Sequence, residues 1–237
     1  MLILAMDSSS AACSVAISRD GTVIGGEFSL LTRGHAAMLP PMIERVLTTC
    51  GMTARDMDAF AVSVGPGSFT GLRVAMAAAK GLAVVVDRPL LGISCFDAVA
   101  RRARSEIGGR PFDALLLALA SKREEVFVQA LNSAGREIIS GQVIGPVEID
   151  LRIGALLGDN ALLYIAGDAT DTVTGVLQAP NAHCRAQILI GPAMPPDAAD
   201  IALVAHDIST REVSDSHSYS SGLAPLYLRP PAAKTAS

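Results

Sequence analysis

The chain has 237 residues, half of them hydrophobic and 18% charged, enough apolar material for one large core or two modest ones and too much for a disordered or collagen-like chain. A net charge of −4 is the wrong sign for a protein that grips a nucleic-acid backbone unaided, and 4% aromatic residues with no Trp leave little for base stacking. No contiguous apolar run reaches the roughly 18 residues that span a bilayer, Asp7 interrupts the apolar opening, and Cys13, Cys50, Cys95 and Cys184 follow no CxxC spacing, so a reducing cytoplasmic setting is expected.

Leu2–Met6, Cys13–Ile17 and Val23–Phe28 read as three strands, the last two joined by the Asp20-Gly21 hairpin signal. His35–Cys50 carries Ala36, Leu39, Ile43 and Val46 at helical spacing, with Pro40-Pro41 predicting either a kink or a later start. Strands over Ala59–Val64 and Leu90–Ser94 alternate with helices over Thr70–Val86 and Phe96–Glu106. The resulting order, βββαβαβα, is that of ribonuclease H-like and actin-like α/β folds. Gly108-Gly109 then suggests a boundary, dividing a subdomain at 1–106 from a smaller one at 107–228, with a frayed tail at 229–237. The second half reads as a looser copy: strands over Phe112–Ala120, Glu125–Leu131, Arg136–Ile144 and Ala161–Ala166, and helices over Glu148–Leu157, Ala169–Leu177 and Asp197–Ile208. The basic spots Arg101, Arg102, Arg104 and Lys122, Arg123 read as solvated charges.

The stretch most able to carry chemistry is Gly65-Pro66-Gly67-Ser68-Phe69-Thr70-Gly71-Leu72-Arg73, between a strand and an alanine-rich helix. Gly65, Gly67 and Gly71 allow close backbone approach and Ser68 or Thr70 can cap the helix, which makes it a candidate anion loop, although tight packing uses the same residues. It is not a Walker A loop, and no HExxH, GxSxG, CxxC or GxGxxG occurs.

Gly65–Arg73 continuing to Ala79-Lys80-Gly81-Leu82-Ala83, the opening Ile3–Ser9 with Cys13–Ala16, His35 with Leu39-Pro40, and Pro225–Arg229 together resemble the TsaB (YeaZ) family. The resemblance implies a degenerate actin-like fold and a subunit of the bacterial machinery that places a threonylcarbamoyl group on the adenosine beside the anticodon of tRNAs reading ANN codons. It implies TsaD as catalytic partner, the ATPase TsaE as a third subunit, a homodimer when alone, and tRNA contact only through the complex. Three departures from catalytic relatives point to lost catalysis, with no metal and no cofactor: Leu39 where an HxxxH pair beginning at His35 would need its second histidine, Ser9 where a phosphate-approaching glycine would stand, and Ala166-Gly167-Asp168 where a glycine pair would receive adenosine. Ser121–Phe127 also departs from the family pattern. The rival readings are a free-standing actin-like ATPase or kinase and a glycoprotease-like hydrolase, and the first would require one-to-one ATP binding. For the partner surface, helical wheels place Gly71, Ala75, Ala78 and Leu82 in the core and leave apolar flanks of Leu72 and Met76 on one helix and Met38 and Met42 on the other, as the expected interface.

Overall fold

The computed structural model describes residues 1–121, 123–211 and 223–228. β1 (Leu2–Asp7), β2 (Ala12–Arg19) and β3 (Thr22–Leu30) form an antiparallel meander. Asp20 and Gly21 make its second turn, both at positive φ (49° and 75°), the backbone that an Asp-Gly hairpin turn supplies. α1 (His35–Thr49), β4 (Ala59–Gly65), α2 (Phe69–Val86), β5 (Leu90–Ser94) and α3 (Cys95–Ile107) follow. β4 and β5 add to β1 in parallel, so the sheet runs β3-β2-β1-β4-β5.

β6 (Ala114–Ala120), β7 (Val126–Asn132), β8 (Glu137–Ile144), α4 (Pro146–Leu156), β9 (Leu162–Ala166), α5 (Thr170–Leu177), β10 (Gln187–Ile190) and α6 (Ala198–Arg211) repeat that connectivity, in a second sheet ordered β10-β9-β6-β7-β8. This duplication is the two-subdomain actin-like fold expected from element order. β10 has no counterpart in the sequence reading. It is four residues long and mostly exposed, so no burial pattern marks it, yet it completes the repeat.

Layering departs from the expected division at residue 106. α1 and α2 cover one face of the first sheet through Leu4, Met6, Val15, Phe60 and Val62. The opposite face carries the small residues Ala5, Ala16, Ala59 and Ala61 beside Ile3, Leu91 and Ile93, and what packs there is α6, through Ala198, Ile201, Ala202 and Ala205. α3 in turn lies on the second sheet, where Phe96, Val99 and Ala103 meet Leu115, Leu117 and Tyr164, while α4 and α5 cover the outer face of that sheet. The third helix of each half therefore serves the other half's sheet, and a subdomain of 107–228 wrongly includes α6. Arg102 ties the exchanged helices together: it is mostly buried, bonds Asp200 at 2.5 Å and 2.8 Å, and donates to the Pro195 carbonyl at 3.0 Å. Arg101 likewise lies 3.7 Å from Asp207. These two arginines join the halves rather than decorate a solvated face.

α1 starts at His35 and keeps both prolines inside it. Their missing N–H groups fall against Ala36 and Ala37, on the exposed face where water can satisfy the freed carbonyls. α2 is long and apolar enough to cross a membrane by length and composition alone; here its inner face, Leu72, Ala75, Ala79 and Ala83, is buried against the first sheet. This corrects the wheel. Leu72 and Met42 are 0% exposed core residues and cannot belong to a partner interface, whereas Met38 and Met76 are half-buried at its margin. Ala36, assigned to the core, is exposed.

Candidate functional site

β1 and β4 are parallel neighbours at the point where strand order reverses, and ligands of open α/β sheets bind beyond the carboxyl ends of such strands. Three segments converge there: Asp7–Ser10 after β1, Gly65–Gly71 after β4, and the extended residues Leu223–Leu228. Asp7 is fully buried. One carboxylate oxygen accepts the Ser9 N–H at 3.1 Å. Burial raises the Asp7 pKa from 3.8 to about 6; the Ser63 and Ser9 groups pull it back and the Asp197 charge adds to the rise. The same burial pushes up the thiol of Cys95, which donates to the Ser9 hydroxyl at 3.3 Å.

The candidate anion loop packs directly on the β1 turn. Gly65 has φ +114°; a Cβ on Gly67 would stand 2.4 Å from the Ser9 carbonyl oxygen, and one on Gly71 1.8 Å from that of Ser8. Three donors here are engaged within the chain: Ser68 N–H donates to the Ser9 carbonyl at 2.6 Å, Gly71 N–H to the Ser68 hydroxyl at 3.4 Å, and Leu72 N–H to the Ser68 carbonyl at 2.9 Å. The Ser8 hydroxyl closes the arrangement by donating to the Gly71 carbonyl at 2.7 Å. Ser68 is thus the N-cap of α2, Thr70 is exposed, and Gly67 and Gly71 are required by contact with Ser9 and Ser8.

A cleft of about 410 Å³ remains between the sheets, walled by Ser9, Ser10, Ser68 and Phe69 on one side and by Arg123 and Asp168 on the other. The Asp168 carboxylate accepts the Ala120 N–H at 2.8 Å, and burial raises its pKa. Gly167, at φ +115°, sits against the Ala118 carbonyl and donates its N–H to Pro192 at 2.9 Å, so the Ala166–Asp168 turn is fastened to β6. His35 Nε2 donates to the Ser10 carbonyl at 3.1 Å, tying the start of α1 to the β1 turn. Among the described residues no group of three His, Cys, Asp or Glu converges in a ligand set. Lys122, His217 and Arg229 lie outside the described residues. Leu226, Tyr227 and Leu228 also wall the cleft; the sequence marks them only through the resemblance of Pro225–Arg229, because their place on the cleft depends on tertiary packing.

A second polar cluster joins α4 to the segment before β10. Asp150 on α4 is 5% exposed and accepts the N–H groups of His183 (2.8 Å) and Cys184 (2.9 Å) as well as His183 Nδ1 (2.9 Å). Burial pushes its pKa up, but these donors outweigh that and leave it below the usual carboxylate value. Asp150→Ala strands the buried Cys184 N–H and should lower stability by about 2 kcal/mol, read by denaturant melts; a loss below a few tenths would show that water replaces the carboxylate.

Compared with known proteins, residues 29–150 match the family model for TsaD, tRNA N6-adenosine threonylcarbamoyltransferase. The tRNA threonylcarbamoyladenosine biosynthesis protein TsaB of Haemophilus influenzae is 35% identical over 174 residues, 68% of this chain and 70% of that protein. This chain belongs to the TsaB family. The Escherichia coli TsaB is 39% identical over 127 residues, 54% of this chain and 53% of the relative, so that match spans about half of each. YeaZ from Pseudomonas aeruginosa superposes with a TM-score of 0.74 at 28% identity, covering 95% of this chain and 99% of that one. In this TsaB-family chain Gly65–Arg73 runs from the end of β4 into α2 and packs on the β1 turn.

Proposed function

We propose that this TsaB-family chain works in the cytoplasm as a non-catalytic subunit that binds and activates TsaD in threonylcarbamoyl transfer to the adenosine next to the anticodon of ANN-reading tRNAs. TsaE joins the same assembly, tRNA is met only through the complex, and the isolated chain pairs with itself. The observation that carries this reading is the packing of the Gly65–Gly71 loop on the chain's own β1 turn. The Ser68 N–H is bonded to the Ser9 carbonyl and the Gly71 N–H to the Ser68 hydroxyl, so two donors that an anion at this loop would draw on are already engaged. The curated relatives carry tRNA threonylcarbamoyladenosine biosynthesis in their names, which supports the pathway.

The outer faces of α1 and α2 are the proposed partner surface. Met76 lies in a groove of about 350 Å³ with Ala77, Arg73 and Lys80, and Met38 sits at the margin of the core beneath. A carboxylate at position 76 would find Arg73 and Lys80 as partners, so the informative charge there is positive. Met76→Lys and Met38→Glu should each weaken TsaD binding at least thirtyfold, about 2 kcal/mol, since a desolvated unpaired charge is penalised only in the complex. Co-purification with TsaD, read by mass and by titration, decides it: normal binding by both variants places the interface elsewhere. Calorimetry with ATP tests the rival, for a one-to-one micromolar affinity of the chain alone would favour the kinase-like reading.

A further inference from the structure

We propose that Leu223–Leu228 is a strap that gates the cleft between the sheets and couples it to the groove on the outer face of α2. One short extended segment walls both spaces: Leu226, Tyr227 and Leu228 line the cleft, while Leu223, Pro225 and Tyr227 line the groove. The body of the protein is shaped to receive it. A Cβ on Gly65 would stand 2.9 Å from the Leu226 carbonyl oxygen, and one on Gly92 2.3 Å from Leu223 Cδ1, so a side chain at either position pushes on the strap. Leu223 packs on the core beneath α1 and α2, and Leu228 on the core between α3 and the second sheet. The two ends are thereby tied to opposite sides of the cleft.

The middle of the strap is held lightly. Leu226 N–H donates to the Val64 carbonyl at 2.6 Å; the Tyr227 ring stacks on Phe69 with centroids 5.2 Å apart; Arg73 Nε donates to the Tyr227 hydroxyl at 3.3 Å and its guanidinium lies 3.8 Å over the Phe69 ring. Leu226 and Tyr227 are 41% and 39% exposed, and contacts of these kinds are individually weak when exposed to solvent. A segment fastened in this way opens more readily than the sheets around it. Arg73 lines the groove but not the cleft, yet it grips the ring that closes the cleft. Whatever draws Arg73 away from Tyr227 loosens the wall on the other side.

The test uses the full chain with Ser10→Cys as reporter, because the Ser10 hydroxyl is buried, has no partner among the described residues, and belongs to a residue that lines the cleft. Its reaction with an aromatic disulfide reagent is expected to quicken at least tenfold with Tyr227→Ala, at least threefold with Arg73→Ala, and likewise with Gly92→Ala, which displaces Leu223 at the far end. Labelling of the buried Cys184 in the second sheet's core should not change. Unaltered reporter rates in Tyr227→Ala and Gly92→Ala overturn the gate; acceleration by Tyr227→Ala with none by Arg73→Ala overturns the coupling; and Cys184 quickening in step overturns both, since the whole chain is then loosening. Should Ser10→Cys not fold, amide exchange of residues 9–11 in the Ser10 chain reads the same rates against the same criteria.

Discussion

Gly71→Ala is expected to leave little or no folded chain, with any surviving protein melting at least 10 °C lower. The added carbon would stand 1.8 Å from the Ser8 carbonyl oxygen, and that neighbour is backbone, inside a turn that is itself buried and bonded back to Gly71. No rotamer can relieve the overlap, so either α2 lifts from the first sheet or the β1 turn breaks. Overpacking of a core typically amounts to 1–3 kcal/mol, and a rigid backbone neighbour places this case beyond about 3 kcal/mol, roughly 10 °C for a chain of this size. Gly81→Ala, on the open face of the same helix with nothing within 4 Å, is the control. It should stabilise by up to about 1 kcal/mol, the difference in helix propensity. Thermal melts of the two variants should therefore move in opposite directions; a Gly71→Ala chain that melts like the parent would show that the loop is looser than its contacts imply.

Asp7→Asn should raise the melting temperature by several degrees at pH 7.5 and by almost nothing at pH 4. The folded chain holds the Asp7 proton more tightly than the unfolded chain does, about pH 6 against 3.8. Its contribution is therefore most favourable below the unfolded value and is lost as pH rises between about 4 and 6. A rise of that size corresponds to about 3 kcal/mol of destabilisation at neutral pH. Asparagine keeps the acceptor for the Ser9 N–H and removes the buried charge. Comparing parent and variant across pH cancels every other titrating group. Equal gaps at pH 4 and pH 7.5 would mean that the buried charge is not what destabilises.

Much of this architecture can be read from the residues because local signals and global fold agree. Asp20-Gly21 demanded a hairpin, Leu2–Met6 and Ala59–Val64 demanded buried strands, and the alternation after Gly65 demanded parallel crossovers. The failures share a cause, which is that tertiary contact decided what local pattern could not. On α2, small apolar residues run almost all round the helix; Arg73 and Lys80 mark the outside but do not fix the inside, so Leu72 was placed on a flank when it belongs to the core. On α1, Met42 suffered the same fate. The exchange of α3 and α6 has no local signature, since an alanine-rich helix fits either sheet. At the site, Gly67 and Gly71 were identifiable as positions of close backbone approach, but only the coordinates reveal that the approaching backbone is the chain's own Ser8–Ser9.

The exchange of third helices also bears on how the chain is made. During synthesis the first sheet and its α1–α2 layer can assemble once residue 94 or so has emerged, yet the alanine-lined face that α6 covers stays open until residues 198–211 are available. At ordinary rates of translation that interval is on the order of ten seconds. An uncovered apolar face on a growing chain is where non-native association begins. Small side chains at Ala5, Ala16, Ala59 and Ala61, set among Ile3, Leu91 and Ile93, keep part of the waiting surface shallow, so the residues that let the last helix approach closely also limit the apolar area the first half of the molecule presents until it arrives.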